Sequence, residues 1–287
     1  MPELPEVETV KRGLEEFIIN ETIRKVYLSE LKLRFPWPKN FISEVVGKKI
    51  VSIKRRAKYI IISLNQGYSI IAHLGMSGSY KVLKKNVPQD YKRLKHDHLV
   101  IELDNFILVY NDPRRFGYID LTNKETEKHK FLSLLGPEPL SNSFNENDLA
   151  ESLLNKNKSI KNTLLDQRIV SGLGNIYVCE ALFRSKINPK KNCSKLITSK
   201  GKPREKLIIL VNKINEVIKE AIDVGGSTLK DFSSTDGKMG YFQTSFNVYD
   251  REGEKCLLDD CGGGIKRVVQ SGRATFFLFK LSKVISY

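Results

Sequence analysis

The sequence predicts a multidomain α+β protein, with a leading helix and a β-sandwich first, a helical domain second and a small β-rich region last. Two observations predict this class. Short apolar segments separated by turn residues occupy the N-terminal half, and longer segments with apolar residues at helical spacing follow. The stretch 134–150 between them contains two prolines and many polar residues, which is typical of a linker.

The opening segment, MPELPEVETV, has the features of a helix start. Pro5 suits the first turn, where no N–H is needed, and Glu3, Glu6 and Glu8 suit the positive end of the helix dipole. Apolar residues at helical spacing predict the buried face of this helix, and they are Val7, Val10, Leu14 and Phe17.

Pro2 is the one residue that a helix start does not explain. If Met1 is removed, Pro2 becomes the terminus and offers a secondary amine. An α-amino group has a pKa of roughly 8, so much of it is uncharged near neutral pH. Such an amine can attack an electrophilic carbon and form an iminium. The residues alone leave two interpretations open, a plain helix start and a nucleophilic site.

Five apolar segments predict the strands of the sandwich, and they read KKIVSI, KYIIISL, YSIIAHL, HLVIEL and FILVY. Turn residues separate them at 65–67 and in a tight reversal at Asp104-Asn105. We therefore expect antiparallel hairpins.

The predicted helices after the linker read NDLAESLLN, SIKNTLLDQ, NIYVCEALFRS and PREKLIILVNKINEVIKEAI. The last one ends near Gly225-Gly226, a pair that stops helices. Beyond it, the segments FNVYD, IKRVVQ and ATFFLF predict short strands.

The composition favours a polyanionic partner. The chain of 287 residues has 48 Lys and Arg against 33 Asp and Glu, a net charge of +15. Nucleic acid is the first candidate and an acidic membrane surface the second. No apolar run is long enough to span a bilayer and no secretory leader is evident, so we expect a cytoplasmic protein. Four cysteines in a chain of this length do not indicate a disulfide framework.

The chain resembles the formamidopyrimidine-DNA glycosylase family along nearly its whole length. The segments that carry the resemblance are MPELPEVETV, RRAKY, HLGMSGS, NDPRRFG, GLGNIYVCEALF, GGSTLKDF, DGKMGYF and GRATFF, in this order. It implies a bifunctional base-excision enzyme that removes oxidised purines from double-stranded DNA and cuts the strand by β,δ-elimination. We expect a monomer with no membrane partner.

The resemblance also implies a division of the chain. Residues 1–133 form the catalytic β-sandwich domain and 134–150 the linker. Residues 151–240 form the helix–two-turn–helix DNA-binding domain, and its DGKMGYF segment belongs to a loop that closes over the extruded base. Residues 241–287 form a β-hairpin finger.

The catalytic residues implied by the resemblance are Pro2, Glu3, Lys58 and Arg273. Neutral Pro2 attacks C1′ of the damaged nucleotide, and Glu3, which must keep a proton, protonates the sugar. Lys58 contacts the substrate phosphate, and Lys58 and Arg273 assist the eliminations. Strand alternation places Lys58 and Tyr59 on opposite faces, so one of them is expected to point inward. Glu6 is expected to order the first helical turn.

Met76, Arg114 and Phe116 resemble the family's void-filling residues. A flipped base leaves a hole in the duplex stack, which an apolar wedge can fill while an arginine bonds the opposite base. Both segments are predicted as loops. Without the family context, Met76 and Phe116 would be core residues and Arg114 a solvated charge. Arg115 is assigned to a structural or DNA-backbone contact.

Contacts to DNA phosphates are implied for His96, Lys156, Lys161 and Asn175. His96 lies in KHDH, where two histidines flank an aspartate without a third metal ligand. Asn175 lies in GLGNIY, where glycines allow a close approach of backbone to phosphate. This glycine-rich segment lacks the third glycine, the preceding strand and the later acid of a dinucleotide site.

The finger departs from the family pattern. Four cysteines commonly bind zinc there, and this chain has Cys256 and Cys261 for the first pair but Leu278 and Leu281 for the second. Two thiolates cannot complete a tetrahedral site. We therefore expect no zinc and no other cofactor, with apolar packing closing the hairpin.

Two other functions stay open at this point. One is the related endonuclease VIII-type activity on oxidised pyrimidines, against which Leu4 and the void-filling residues argue. The other is a catalytically silent binder of damaged DNA, which would need a blocked Pro2 amine.

Overall fold

The computed structural model describes residues 1–85, 91–227, 242–258 and 261–278. The chain forms two compact units, one containing Met1–Ser133 and Val224–Tyr241 and the other Leu134–Asp223 and Phe242–Tyr287. Residues 134–150, predicted as a linker, fall in the second unit, and a helix begins among them at Glu146. The division into four segments stays a prediction.

The first unit begins with helix α1, Leu4–Ile18. Its predicted apolar face is buried at Val7, Val10 and Leu14. The helix starts with a capping box between Glu3 and Glu6, so its first turn is fixed by side chains as well as by backbone.

Eight strands and a second helix complete this unit as far as the structure describes it. They are β1 Lys25–Leu28, α2 Phe41–Val45, β2 Ile50–Arg56, β3 Tyr59–Leu64, β4 Ser69–His73, β5 Ser79–Lys84, β6 Asp97–Glu102, β7 Phe106–Asn111 and β8 Tyr118–Thr122. They form two four-stranded antiparallel sheets, ordered β1-β6-β7-β5 and β2-β3-β4-β8.

The two sheets and α1 share one apolar core. Alternate residues of β3, such as Ile60 and Ile62, meet alternate residues of β6, such as Leu99 and Ile101, in this cluster. The predicted β-sandwich with a leading helix is confirmed, and so are its five predicted strands and the reversal at residues 104–105.

Three strands were not predicted from the sequence. They are β1, β5 and β8, and each lies at the edge of its sheet. One side of an edge strand faces solvent, so its sequence mixes exposed charges with apolar residues and lacks a clear apolar run. In β5, for example, Lys81 and Lys84 are exposed while Tyr80 is buried.

The second unit contains four predicted helices and one hairpin. They are α3 Glu146–Leu153, α4 Ile160–Leu164, α5 Asn175–Arg184, α6 Glu205–Asp223, β9 Ile265–Gln270 and β10 Arg273–Leu278. The hairpin strands are antiparallel, with Arg273 opposite Gln270 and Leu278 opposite Ile265. Among the described residues, no helix is long and apolar enough to cross a bilayer.

The prediction of a strand at FNVYD, residues 246–250, is wrong. A 3-10 turn, Phe242–Ser245, precedes this segment, and the segment itself forms bends and a turn. The cause is Glu180 of α5, which has no exposed surface. Its carboxylate accepts hydrogen bonds of 2.9 Å from the backbone N–H groups of Asn247, Val248 and Tyr249. Three consecutive amides converging on one carboxylate cannot belong to a strand ladder.

Gln167 fixes the connection between α4 and α5. Its amide nitrogen donates to the Leu173 carbonyl (2.7 Å), and its oxygen accepts from the Gly172 N–H (2.9 Å). Gly172 has φ +87°, a conformation that glycine adopts without strain. Gly174 then caps α5 in an extended conformation, so the GLGN segment delivers Asn175 to the first position of α5.

Candidate catalytic and DNA-binding site

Pro2 and Glu3 immediately precede the first residue of α1. Pro2 is buried, and the Glu3 side chain is 3% exposed. The Glu6 carboxylate accepts the Glu3 N–H at 2.8 Å, which confirms the expectation that Glu6 orders this turn. The turn therefore holds the proposed nucleophile and acid at one fixed place.

Glu6 also binds the segment that follows α6. Its second carboxylate oxygen accepts the Ser227 N–H (2.8 Å) and the Ser227 hydroxyl (3.0 Å). Gly226 has φ +78°, and a Cβ there would come within 3.0 Å of the same carboxylate. The catalytic turn is thus tied to Ser227, the last described residue before the predicted capping loop. The DGKMGYF segment itself lies outside the described residues except for Phe242.

Lys58 lies in the tight turn between β2 and β3. The prediction that Lys58 belongs to a strand and alternates with Tyr59 is therefore wrong. The side chain is nevertheless 5% exposed and thus points inward. Arg55 supports this turn, because it donates to the Ala57 carbonyl (3.1 Å) and to the Glu8 carboxylate of α1 (2.8 Å). Burial would raise the pKa of Glu8, but the bond and charge of Arg55 hold it below its usual value.

His73, at the end of β4, lies beside this turn and was not predicted as a site residue. It pairs with Tyr59 in the sheet, and the two rings are 4.9 Å apart. Burial, together with the charges of Lys58 and Arg34, lowers the pKa of His73 to about 4. The imidazole is therefore neutral at neutral pH. Its place directly before Leu74 in HLGMSG was the available signal.

The predicted void-filling residues come together at this end of the sheets. Met76 is half-buried in the turn after β4, while Arg114 and Phe116 are exposed in the turn between β7 and β8. The Arg114 guanidinium lies 5.0 Å from the centre of the Phe116 ring. Arg115 between them has φ +56°, in the left-handed region. The structure thus exposes Arg114 and Phe116, while Met76 lies half-buried in the neighbouring turn.

His96 lies half-buried in the turn before β6, and its carbonyl accepts the Asp112 N–H (3.0 Å). His98, by contrast, is buried, and its ring nitrogens bond Ser29 Oγ (2.9 Å) and the Asp112 carbonyl (3.1 Å). The two histidines of KHDH therefore have different surroundings. No cluster of three metal-ligating side chains exists among the described residues.

The structure contradicts the phosphate contact predicted for Lys161. The side chain is fully buried within the second unit. Its ammonium donates to the Ala274 carbonyl (2.9 Å) and to the Thr275 hydroxyl (2.7 Å), which both belong to β10. Lys161 therefore joins α4 to the hairpin. The sequence offered no sign of this, because the segment LNKNKSIKN contains three lysines that look alike.

The other predicted DNA contacts of the second unit remain compatible with their placement. Lys156 is half-buried in the turn after α3, and Arg273 is exposed at the start of β10. Asn175 donates its amide to the Ala274 carbonyl at 2.8 Å. The residue next to Arg273 is thus held by both Asn175 and Lys161.

The described part of the finger contains an apolar cluster around Leu278, where the family pattern predicts a cysteine. Leu278 is 2% exposed and packs with Val248, Ile265 and Phe276. Cys256 and Cys261 lie partly buried against the same cluster. Burial and the neighbouring Cys261 raise the pKa of Cys256. Leu281 and Phe279 lie beyond the described residues.

Two family models match most of the chain. The model of the formamidopyrimidine-DNA glycosylase N-terminal domain matches residues 1–119, and that of the formamidopyrimidine-DNA glycosylase H2TH domain matches residues 135–233. The formamidopyrimidine-DNA glycosylase of Agrobacterium fabrum is 46% identical over 292 residues, which cover 96% of this chain and 98% of that protein.

Solved structures of DNA complexes from this family are similar to the chain. A variant of the Lactococcus lactis enzyme with DNA containing Fapy-dG is 35% identical, with a TM-score of 0.85 over 98% of this chain and 99% of that one. The Lactococcus lactis enzyme with DNA containing an abasic site is 36% identical, with a TM-score of 0.85 over 97% and 98%. The chain therefore belongs to the formamidopyrimidine-DNA glycosylase family of base-excision repair enzymes.

Proposed function

We propose that this chain excises oxidised purines, such as 8-oxoguanine and formamidopyrimidines, from double-stranded DNA and then cleaves the strand at the abasic site. The observation that carries this proposal is the buried Pro2-Glu3 pair, held by Glu6 at the start of α1. A fixed secondary amine next to a carboxylic acid is what iminium chemistry at a sugar carbon needs.

The proposed reaction starts when Met1 has been removed and Pro2 has become the terminus. The Pro2 nitrogen attacks C1′, and the bond between C1′ and the base breaks as the base leaves with the electron pair and takes up a proton. Glu3 gives its proton to the sugar ring oxygen as the ring opens, which leaves an iminium between Pro2 and C1′. Loss of a C2′ proton then expels the 3′-phosphate, and a second elimination expels the 5′-phosphate.

Lys58 and Arg273 are proposed to bind the phosphates that these eliminations expel. Lys58 is held inward by the β2–β3 turn, and Arg273 is presented outward by the β9–β10 hairpin. Positive charge next to a leaving phosphate stabilises the negative charge that develops on it. His96, Lys156 and Asn175 are proposed to bind other phosphates and set the register of the duplex.

Met76 and Phe116 are proposed to fill the void left by the flipped nucleotide, while Arg114 bonds the opposite base. Their support is the contact between the two turns that carry them and the exposure of Arg114 and Phe116. Arginine is suited to this role because its guanidinium can bond two acceptors on one base edge.

The finger is proposed to hold without zinc. Leu278 occupies the position of a third ligand, and the described cluster around it is apolar. Burial of one leucine side chain contributes roughly 1.5–3 kcal/mol, which compensates in part for a missing metal. We also propose a cytoplasmic location, in which the four cysteines stay reduced.

Competition between duplexes tests the proposed substrate. Equal amounts of 8-oxoguanine duplex and of a duplex with an oxidised pyrimidine, distinguished by their labels, are offered to the enzyme. Preferential cleavage at 8-oxoguanine supports the proposal, and preferential cleavage at the pyrimidine assigns the chain an endonuclease VIII-type specificity instead.

A further inference from the structure

Asp112 connects the two turns that carry the void-filling residues. Its carboxylate has no exposed surface. One oxygen accepts the Ser77 hydroxyl (2.6 Å), and the other accepts the Gly117 N–H (2.7 Å) and lies 3.4 Å from the Tyr110 hydroxyl. Ser77 belongs to the turn of Met76, whereas Gly117 follows Phe116. A single carboxylate therefore bonds both turns.

Ser77 extends this connection to Arg114. The Ser77 hydroxyl donates to Asp112, and its oxygen accepts the Arg114 N–H at 3.1 Å. The Ser77 hydroxyl thus acts as both a donor and an acceptor. It holds the backbone of Arg114 through the residue that follows Met76. The Arg115 N–H bonds the Asp112 carbonyl at 3.1 Å, which fixes the next peptide as well.

The backbones of the two turns are in direct contact. A Cβ on Gly75 would lie 2.4 Å from the Phe116 carbonyl carbon, and one on Gly117 would lie 1.7 Å from the Tyr110 hydroxyl oxygen. Neither space can admit a side chain, so both turns are closely packed where they meet. Their tips differ, because Arg114 and Phe116 are exposed beyond this packed base.

We propose that Asp112 is a positioning residue that makes Met76, Arg114 and Phe116 move as one rigid wedge during base flipping. This inference rests on the void-filling role proposed above. An ionised carboxylate is an acceptor at both oxygens, and here the donors of the two turns use both of them. An isosteric amide has one acceptor oxygen. In Asp112→Asn the amide nitrogen therefore either faces the Gly117 N–H, which breaks that bond, or faces Ser77, whose hydroxyl then accepts a weaker neutral bond in place of a charge-assisted one.

The alternative is that Asp112 serves only the stability of the fold. Glu21 provides a matched control, because it is 8% exposed and its carboxylate accepts the backbone and side-chain N–H groups of Asn105 (2.7 and 2.8 Å). Asn105 precedes β7, whereas Asp112 follows it, so the two carboxylates hold turns at opposite ends of one strand. Glu21→Gln weakens the same unit far from the wedge.

The test compares Asp112→Asn, Ser77→Ala and Glu21→Gln in the full-length enzyme. The substrates are 8-oxoguanine duplexes with either cytosine or adenine opposite, and single-stranded DNA with an abasic site, which has no duplex void to fill. We expect kcat/KM on the duplex to fall on the order of 10- to 100-fold for the first two variants, as for misplaced binding groups. Discrimination between the opposite bases falls with it, while cleavage of the single strand and all activities of Glu21→Gln stay near the wild-type values.

Two further variants distinguish the positioning role of Asp112 from the void-filling role of the wedge. Met76→Ala/Arg114→Ala/Phe116→Ala removes the wedge, and Asp112→Asn is then added to it. If Asp112 acts through the wedge, the addition causes no further loss on the duplex. A full further loss, or an Asp112→Asn enzyme that behaves like Glu21→Gln, overturns the inference. A triple variant with normal duplex activity overturns the void-filling role on which it rests.

Discussion

The ammonium group of Lys161 donates a hydrogen bond of 2.7 Å to the hydroxyl of Thr275. It links helix α4 to strand β10 in the second unit and leaves the lysine without exposed surface. A residue predicted to touch DNA thus stabilises the hairpin that presents Arg273. The distinction can be measured, because a phosphate contact and a buried link respond differently to salt.

Replacement of Lys161 by methionine should lower the stability of the protein. The Thr275 hydroxyl loses the Lys161 donor, while the Ala274 carbonyl keeps the Asn175 amide. A buried polar group left without a partner costs about 1–3 kcal/mol. Lys156→Met is the matched control, because Lys156 remains a proposed phosphate contact. Thermal unfolding should show a lower Tm for Lys161→Met, and DNA binding over a range of salt should show a slope smaller by about one unit for Lys156→Met. A normal Tm with a reduced salt slope in Lys161→Met would restore the original prediction.

Arg114→Ala should weaken discrimination of the base opposite the lesion. The guanidinium is exposed above Phe116 and is proposed to bond that base, and one good bidentate contact contributes about 1–3 kcal/mol to discrimination. Excision rates on 8-oxoguanine opposite each of the four bases measure the effect. Arg115→Ala is the neighbouring control and should keep the preference. Equal loss of preference in both variants contradicts the division of roles between these arginines.

The finger should function in the presence of a strong chelator. Leu278→Asp places a charge in the apolar cluster formed with Ile265 and Phe276, and it should abolish DNA binding. Leu257→Asp, at a leucine that is 63% exposed in the same region, should be tolerated. Elemental analysis should find no zinc. One zinc per chain, together with activity that is lost on chelation, would overturn the zinc-free finger.

His73 should titrate far below an ordinary histidine, because burial and the charge of Lys58 lower its pKa to about 4. Its Nδ1 accepts the Gly75 N–H at 3.0 Å, which requires an unprotonated nitrogen. Since the unfolded chain takes up this proton near pH 6.5 and the folded chain does not, stability from His73 is present above pH 6.5 and is lost as the pH falls towards 4. An NMR titration of the His73 ring measures the midpoint directly. A midpoint near 6.5 would show that the ring is solvated.

Much of the fold was predictable because burial leaves a regular pattern. Leu99 and Ile101 of β6, for instance, lie in a continuous apolar segment, and the helical spacing of Val7, Val10 and Leu14 marks α1. The edge strands β1, β5 and β8 lack such a pattern. FNVYD has strand-forming residues, but a carboxylate distant in sequence, Glu180, overrides their propensity.

The candidate site was predictable where motif and location coincide, as for Arg114 and Phe116. It was not predictable where a long-range contact decides the role. Lys161 and Lys156 lie five residues apart in one lysine-rich segment, and only the fold makes the first a buried link. The role of Asp112 was equally unpredictable, because its bond to Ser77 spans 35 residues of sequence.

Borohydride trapping tests whether Pro2 is the nucleophile. The enzyme is incubated with an 8-oxoguanine duplex and borohydride, which reduces an iminium to a stable amine. The adduct is then digested and sequenced. If Pro2 is the nucleophile, Met1 is absent from the adduct and the DNA remnant is attached to Pro2. An adduct attached to Lys58 alone, or efficient trapping by chains that retain Met1, would contradict it.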